Sequence, residues 1–207
     1  MELHPRIKKL NGHLIPGKPM WGETRRLSIE QFIYANDKTL MCDVDLESHI
    51  GTHVECPYHN FPDAGKDVVA VPIETFVGEA VVVPLENKKG PITPEDLRPF
   101  GIRRGDVVLI GCPEETEELP YLSDETVDWL VGVGIKLLGA QNLDWELPQM
   151  PRDNKHERQL LRNDIPLVEG LENLGTIQKR RVLFVGLPLK ISGLDSSPIR
   201  AIAFEEI

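Results

Sequence analysis

Short apolar runs alternate with amphipathic segments along most of the chain. The runs are rich in valine, isoleucine and leucine and are bounded by glycine, proline or polar residues, as is typical of buried strands. A longer stretch at residues 39–57 alternates apolar and polar positions and also predicts strand structure. The other predicted strands lie at residues 78–85, 105–112, 135–143, 165–171, 181–191 and 201–206.

Three segments between these runs have the signals of helices. Thr93 precedes a proline and Ser123 precedes two acidic residues, and both arrangements favour a helix N-terminus. Asp153 could cap a third, amphipathic helix. The predicted helices lie at residues 93–101, 123–134 and 152–164. Because strands and helices alternate at these intervals, we predict an α/β fold with a mixed sheet and flanking helices.

The first forty residues differ from the rest of the chain. They carry the turn signals Asn11-Gly12, Pro16-Gly17 and Lys18-Pro19, which predict loops and short strands wrapped around the body of the protein. The full length is 207 residues, of which 41% are hydrophobic. A chain of this size can bury its own core, so we expect residues 1–207 to form a single domain.

Composition narrows the range of partners. The formal net charge is −10, and an acidic surface repels phosphate backbones, so we expect no nucleic-acid partner. No apolar run reaches membrane-spanning length, and the start lacks the apolar segment of a signal peptide. The three cysteines, Cys42, Cys56 and Cys112, include no CxxC pair. We therefore expect a cytoplasmic protein that acts on a small molecule without a membrane partner.

Residues 49–59, HIGTHVECPYH, contain three of the six histidines of the chain. Side chains alternate along a strand, so His49, Gly51, His53 and Glu55 would point to the same side. A glycine, two β-branched residues and a proline within this segment argue against a helix. The pattern therefore indicates a strand that presents imidazole and carboxylate groups together.

Distances along this strand require a bend. His53 and Glu55 are separated by roughly 7 Å, a span that one ion can bridge, whereas His49 and His53 would be roughly 13 Å apart in an extended chain. Gly51 lies between the two histidines and permits a turn or a bulge. We predict that His49 leaves a turn and that His53 and Glu55 project from the strand that follows.

Two imidazoles and a carboxylate make a divalent-cation site with open positions, as catalysis requires. This mixed ligand set suits zinc, manganese, iron or cobalt. We expect zinc, with manganese as the alternative, and one or two ions. His59 follows Pro57, which ends the strand, and we interpret His59 as an acid or base that moves a proton near neutral pH rather than as a fourth ligand.

Other interpretations of the segment remain open. The simplest is that its histidines are loop residues with satisfied hydrogen bonds. A cysteine hydrolase would use Cys56 and His59. However, Cys56 points away from the side of His49 and His53 and is typical of a small core residue. A non-catalytic protein that binds a metal or a small ligand would enclose the ion without an exchangeable water molecule. A hydrolase of another small carbonyl substrate is a further alternative.

The pattern His-x-Gly-Thr-His-x-acid-x-Pro-x-His resembles the signature of the cyclase-like metal-dependent hydrolases, which include bacterial kynurenine formamidase (arylformamidase) and isatin hydrolase. Further segments, LNGHLIPGKPMW, HERQLLRNDIPLVEGLENL and PLKISGLDSSPIRAIA, are similar to other family segments and occur in the same order. We interpret the Ser-Ser-Pro part of the last one as a loop. The resemblance implies a swivelling β/β/α fold and a homodimer or higher homo-oligomer.

The resemblance also implies functions for individual residues. His49, His53 and Glu55 match the ligands of a first metal ion, and the acid is placed to bridge two ions. His156 and Glu169 match the ligands of a second ion. His59 matches the catalytic histidine of the family. The implied reaction is the hydrolysis of an amide-type C–N bond in an aryl formamide or a small cyclic amide.

The residues of the second site can also be judged by themselves. Glu169 lies in an apolar run, and a buried carboxylate needs a partner such as a metal ion. Glu172 lies past the run and is expected to be solvated. Without the resemblance, the favoured interpretation of His156 is a surface residue of a helix.

Three positions qualify the resemblance. Glu55 stands where the family commonly has aspartate, and the additional methylene moves the carboxylate by about 1.5 Å. Gln141 stands where relatives tend to carry an aspartate, which leaves the substrate open. Trp21 is either an aromatic wall of the substrate site or a core or interface residue.

Overall fold

A mixed sheet of nine strands organises the protein. The structure, a computed structural model, describes residues 7–12, 14–15, 27–85, 87–112, 119–145 and 154–205. The strands of the described residues are β1 (Ile7–Lys9), β2 (Leu27–Ile33), β3 (Leu40–Leu46), β4 (His53–Glu55), β5 (Val77–Pro84), β6 (Pro91–Ile92), β7 (Val107–Gly111), β8 (Tyr121–Leu122), β9 (Leu137–Gln141), β10 (Leu167–Glu169), β11 (Arg181–Val185), β12 (Ser196–Pro198) and β13 (Ile202–Phe204). Their α-helices are α1 (Pro94–Leu97), α2 (Asp124–Val133) and α3 (Lys155–Arg162).

The nine strands follow the order β1-β13-β11-β5-β7-β9-β10-β4-β12. The central strands β5, β7, β9 and β10 are parallel, and the strands on both sides of them pair antiparallel. Two further strand pairs, β2–β3 and β6–β8, lie outside this sheet. The predicted α/β architecture with a mixed sheet and flanking helices is therefore confirmed.

The valine-rich runs form the buried centre of the sheet because both of its faces are covered. Along β7, Leu109 belongs to one hydrophobic cluster, whereas Val108 and Ile110 belong to a second cluster on the opposite face. Leu130 of α2 and Leu160 of α3 belong to that second cluster. One face thus carries the helices, and loops cover the other.

Helices α1 and α2 begin where the sequence predicts. The Ser123 hydroxyl accepts a hydrogen bond from the Thr126 amide, and α2 ends at Gly134 with a φ of 76°. Thr93 and Asp96 form a capping box for α1, which is only four residues long and continues as a 3-10 turn. Asp153 lies outside the described residues, and Asn154 occupies the cap position of α3. Within the described part of the chain, no helix is both long and apolar enough to cross a membrane.

Several parts of the chain differ from their predictions. The strand predicted at residues 181–191 ends at Val185. The predicted strand at 39–57 divides into β3 and β4, with a turn between them. The expected Ser-Ser-Pro loop is strand β12, which pairs antiparallel with β4. A segment of three small residues has no hydrophobic pattern, so its strand structure depends on the partner. Trp21 and the turn signals at residues 16–19 lie outside the described residues.

Candidate metal centre

Strand β4 lies between β10 and β12 and holds the centre of the site. In the antiparallel register, His53 is opposite Glu169 of β10 on one side and Pro198 on the other. Glu55 follows His53 by two positions and therefore lies on the same face. His53 is fully buried, and Glu55 is 4% exposed. The strand pairing thus places an imidazole and two carboxylates side by side.

The site lies on the face of the sheet that carries the helices. Val54, which points the other way, belongs to the opposite core cluster. Leu167 shares the face of Glu169 and belongs to the same cluster as Leu160 of α3. The carboxylate of Glu169 is therefore on the side of the sheet where α3 packs.

A turn precedes β4 and carries His49. Gly51 has a φ of 63°, a conformation that favours glycine, and an added Cβ there would lie 2.4 Å from Leu14 Cδ2. The bend brings the ring centroids of His49 and His53 to 5.0 Å. The prediction that His49 leaves a turn while His53 and Glu55 project from the next strand is confirmed.

The first set of ligand atoms, called here the strand-held group, consists of His53, Glu55 and Glu169. His53 Nδ1 donates to the carbonyl of Gly51 at 2.8 Å. His53 Nε2 lies 3.5 Å from Glu55 Oε1 and 3.8 Å from Glu169 Oε2. Because Nδ1 donates to this carbonyl, Nε2 is the ring atom that faces the two carboxylates, an arrangement that a cation between them would stabilise.

A second group of side chains, called here the turn-held group, consists of His49, His59 and Asp195. Asp195 Oδ2 lies 2.8 Å from His49 Nε2 and 2.7 Å from His59 Nδ1. The two imidazole rings are 4.4 Å apart between centroids. His49 Nδ1 lies 2.7 Å from Glu55 Oε1, so this group meets the strand-held group at Glu55.

The ionisation of these groups reflects their mutual contacts. Burial opposes the charged form of His49, but hydrogen bonds to Asp195 and Glu55 outweigh it and raise the pKa of His49 to about 9. Burial likewise opposes the charged form of Glu55, yet hydrogen bonds from His49 and His53 lower its pKa to about 2. Hydrogen bonds from His49 and His59 hold the pKa of Asp195 well below its usual range.

The donor set fits a divalent cation. Ligand atoms of His49, Glu55 and His59 lie within 4.8 Å of one another, and so do those of His53, Glu55 and Glu169. Glu55 belongs to both of these three-residue clusters, as expected for an acid that bridges two ions. Its Oε2 atom is buried and has no hydrogen-bond partner among the residues that the structure describes. A buried carboxylate oxygen of this kind is stabilised by a cation.

His156 is placed differently from the other predicted ligands. Its Nε2 atom contacts Asp124 Oδ1 at 2.8 Å, and the side chain is buried. Its Nδ1 atom is also buried and has no hydrogen-bond partner within the described ranges. The structure therefore brings together His49, His53, Glu55, His59 and Glu169, and it buries His156 rather than leaving it at the surface. The ligand and catalytic roles of all these residues stay predictions.

Other residues singled out in the sequence have structural explanations. Cys56 is fully buried in the core cluster behind β4, and burial raises the pKa of its thiol to about 12, which argues against a cysteine nucleophile. Gln141 Oε1 accepts a hydrogen bond from the Leu174 amide at 2.9 Å. Glu172 is exposed, as expected for a solvated residue.

Asp195 is the member of the site that sequence reasoning missed. The residue lies 146 positions from His49, and no periodicity connects the two. Asp195 lies in the segment Leu-Asp-Ser-Ser-Pro, which is part of the resemblance and could have indicated the residue. The sequence analysis, however, assigns the Ser-Ser-Pro part to a loop. The pairing of β12 with β4 brings this acid to the histidines.

Known proteins share the fold, and relatives align with most of the chain at modest sequence identity. A predicted metal-dependent hydrolase from Bacillus stearothermophilus superposes with a TM-score of 0.78 at 20% identity, covering 97% of this chain and 98% of that one. Isatin hydrolase A from Labrenzia aggregata superposes with a TM-score of 0.78 at 20% identity, covering 96% and 93%. Kynurenine formamidase from Erythrobacter litoralis is 29% identical over 211 aligned positions, covering 97% of this chain and 94% of the relative.

The fold and the histidine–carboxylate cluster define a protein of the cyclase-like hydrolase class, as the resemblance predicted. The family model described as Cyclase, putative cyclase, matches residues 9–147. The chain belongs to this family.

Proposed function

We propose that the protein hydrolyses an amide-type C–N bond in an aryl formamide or a small cyclic amide, using water activated by a divalent cation. The observation that carries this proposal is a cluster around Glu55. Three imidazoles and the carboxylate of Glu169 surround the Glu55 carboxylate. Relatives named kynurenine formamidase and isatin hydrolase support the same class of reaction, a metal-dependent amide hydrolysis. The activity predicted from the sequence is therefore confirmed as a class.

The residues that would hold the cation are those of the strand-held group together with His49. When bound there, a divalent cation polarises a carbonyl oxygen and lowers the pKa of a water molecule toward neutrality. Imidazole nitrogens and carboxylate oxygens suit zinc, and we propose zinc with manganese as the alternative. One ion would lie between His53, Glu55 and Glu169, and the position of Glu55 also suits a pair of ions.

His59 is the residue that moves the proton in this proposal. Its side chain is 27% exposed, whereas that of His53 is fully buried, so a substrate that enters from solution can contact His59. Its ring lies next to that of His49 and is fixed by Asp195. A positioned imidazole of this kind can transfer a proton to the departing nitrogen when the C–N bond breaks.

A hydrolysis screen tests the proposal. The metal-free protein would be supplied with zinc or manganese and assayed against aryl formamides, cyclic imides and lactams, with His53→Ala as the control. We expect turnover of at least one class, its loss on chelation, and no turnover by His53→Ala. Activity that survives chelation but is lost with a thiol reagent would instead support the cysteine mechanism.

The alternative of a non-catalytic metal-binding protein, which the longer acid at Glu55 suggests, is not favoured by the relatives named above. The two candidates differ in whether the bound ion has an exchangeable water molecule. Water-proton relaxation of the manganese-loaded protein measures this directly. We expect a clear enhancement of relaxation, and its absence would favour the non-catalytic protein.

We also propose that the protein is a homodimer or a larger homo-oligomer, an arrangement that the β2–β3 hairpin supports. In its register Ile29 is opposite Val44 and Ile33 is opposite Leu40, so these four side chains share one face. They are 42% to 61% exposed, and an apolar sheet face of this kind suits contact with a second copy. Light scattering should show that Val44→Asp dissociates the oligomer, whereas Ser28→Asp on the opposite face does not.

We further propose a reducing, cytoplasmic location. Cys42, Cys56 and Cys112 are free, and Cys42 is exposed. An exposed free thiol persists where the surroundings keep thiols reduced. Fractionation of cells that express the tagged protein would test this location.

A further inference from the structure

Asp195 contacts two histidines of the site through a single carboxylate oxygen. Its Oδ2 atom lies 2.8 Å from His49 Nε2 and 2.7 Å from His59 Nδ1. Its other oxygen, Oδ1, accepts a hydrogen bond from the Ser48 hydroxyl at 3.1 Å. Both oxygens are thus engaged by residues of the turn that precedes β4 or of the 3-10 turn that follows it.

These contacts determine which ring nitrogens carry hydrogen. An ionised carboxylate only accepts hydrogen bonds, so His49 Nε2 and His59 Nδ1 must both donate. The remaining atoms are His49 Nδ1, which faces Glu55, and His59 Nε2. In the metal-free protein His49 Nδ1 shares its hydrogen with Glu55, and a bound cation would replace that hydrogen. Each histidine therefore directs one specified ring nitrogen at the chemistry of the site.

The backbone around Asp195 is anchored to the site. The Asp195 carbonyl accepts from the Cys56 amide at 2.9 Å, at the end of β4. Asp67 Oδ2 accepts from the Gly193 amide at 2.8 Å, and the Leu194 carbonyl accepts from Val68 at 3.0 Å. The carboxylate is consequently fixed relative to β4 rather than carried on a free loop.

We propose that Asp195 is a positioning residue that orients His49 for metal binding and His59 for proton transfer. An acid that accepts a hydrogen bond from the distal nitrogen of a ligand histidine orients the ring and increases its basicity. The His49 part of this inference requires only metal binding, whereas the His59 part rests on the proposed hydrolase activity. One carboxylate thereby links the ligand and the proton carrier.

The experiment compares Asp195→Ala and Asp195→Asn with the control Asp164→Asn, which removes the charge of an exposed acid whose ion pair is with Lys66 rather than with a histidine. Zinc affinity is measured by competition with a fluorescent chelator. We expect Asp195→Ala to raise the zinc dissociation constant by about 10- to 100-fold. The isosteric Asp195→Asn, which retains an acceptor without the charge, should raise it less, and Asp164→Asn should leave it unchanged.

Nitrogen NMR of the zinc-loaded protein gives a readout that does not depend on catalysis. In the wild type, the ring signals should show hydrogen on His49 Nε2 and His59 Nδ1, and both patterns should be altered in Asp195→Ala. If Asp195→Ala does not fold, Asp195→Asn serves for both measurements. An unchanged zinc dissociation constant, or unchanged ring-nitrogen signals of His59, would overturn the proposal.

Kinetics distinguish this inference from the proposed function. With a substrate from the screen, the kcat of Asp195→Ala should fall by about 10- to 100-fold. In a His59→Ala background, the same substitution should cost much less in kcat at saturating zinc, because its effect acts through His59. If the wild type hydrolyses no amide, the proposed function fails, while zinc affinity and the NMR signals still decide the role of Asp195.

Discussion

The two groups of the site are held in different ways. In the strand-held group, His53, Glu55 and Glu169 are fixed by the backbone pairing of β4 with β10. In the turn-held group, His49 and His59 lie on separate turns, their rings contact each other, and both bind the side chain of Asp195. The first arrangement depends on strand register, and the second depends on one carboxylate.

This difference predicts that the two groups contribute differently to metal binding and to proton transfer. A strand ladder fixes buried side chains with little freedom, as a metal site requires. Residues on turns are more exposed and can approach a substrate, as proton transfer requires. We therefore expect changes in the strand-held group to abolish metal binding. A change at His59 should affect catalysis while metal remains bound, and changes at His49 or Asp195 should affect both.

The largest effect is expected for His53→Ala. Its ring is fully buried and faces both carboxylates of the strand-held group, so its removal should abolish metal binding. Loss of the cation removes several kcal/mol of charge stabilisation, and we expect the rate of hydrolysis to fall by about 10⁴-fold or more. Bound metal is measured by elemental analysis and activity with the best substrate of the screen.

The control for this substitution is Val54→Ala, a buried residue of the same strand that points to the opposite core cluster. It should reduce stability but retain the metal. A His53→Ala protein that kept its metal and more than about a tenth of its activity would contradict the role given to the strand-held group.

A smaller effect is expected for His59→Ala. The substitution should lower kcat by about 10²- to 10⁴-fold, the usual contribution of a general acid or base, while zinc content stays at the wild-type level. Tyr58→Phe, at the neighbouring position, should leave kcat within about twofold. Loss of zinc from His59→Ala would instead identify His59 as a ligand.

The next effect concerns the pH dependence of zinc binding. Hydrogen bonds to Asp195 and Glu55 prevail over burial and raise the pKa of His49 to about 9 in the metal-free protein. Because a ligand imidazole must lose a proton, zinc affinity should rise with pH below about 9, by up to about tenfold per pH unit, and level off above it. Glu55, with a pKa of about 2, is ionised throughout this range and adds no slope.

Competition titrations with a chelator, corrected for zinc hydrolysis, would measure this slope. A zinc affinity that is constant between about pH 6.5 and 8.5 would show that His49 does not release a proton on binding. His49 would then belong only to the turn-held group and not to the ligands.

The smallest effect on activity is expected for Cys56→Ala. The thiol lies in the core behind β4, and burial raises its pKa to about 12. Activity should stay within about twofold of the wild type, while the free energy of unfolding falls by about 1 kcal/mol. Denaturant unfolding measures the free energy of unfolding, and an assay in the presence of a thiol reagent measures the activity. Inactivation by Cys56→Ala would support the cysteine mechanism instead.

Much of the fold and half of the site could be predicted because their signals are local. The valine-rich runs at β5 and β7 are continuous in sequence, and a continuous apolar run is what a strand buried on both faces requires. The spacing of His49, Gly51 and His53 required a bend, since an extended chain holds the two imidazoles too far apart. The alternation of His53 and Glu55 then predicted their common face.

Other features have no local signal. The Ser196–Pro198 segment is too short and too small to show a strand pattern, and it becomes a strand only because β4 offers an edge to pair with. The contact of His156 with Asp124 depends on how α2 and α3 pack. Neither the length of the helices nor their amphipathic pattern contained this information.

The sequence alone determined the cyclase family, the positions of the main strands along the chain, the turn at Gly51 and the shared face of His53 and Glu55. These features follow from side-chain chemistry and backbone geometry over a few neighbouring residues. Only the tertiary structure decided that Glu169 is opposite His53 and that Asp195 joins His49 to His59 across 146 positions. Strand order and register set those contacts, and both are properties of the assembled sheet rather than of any single segment.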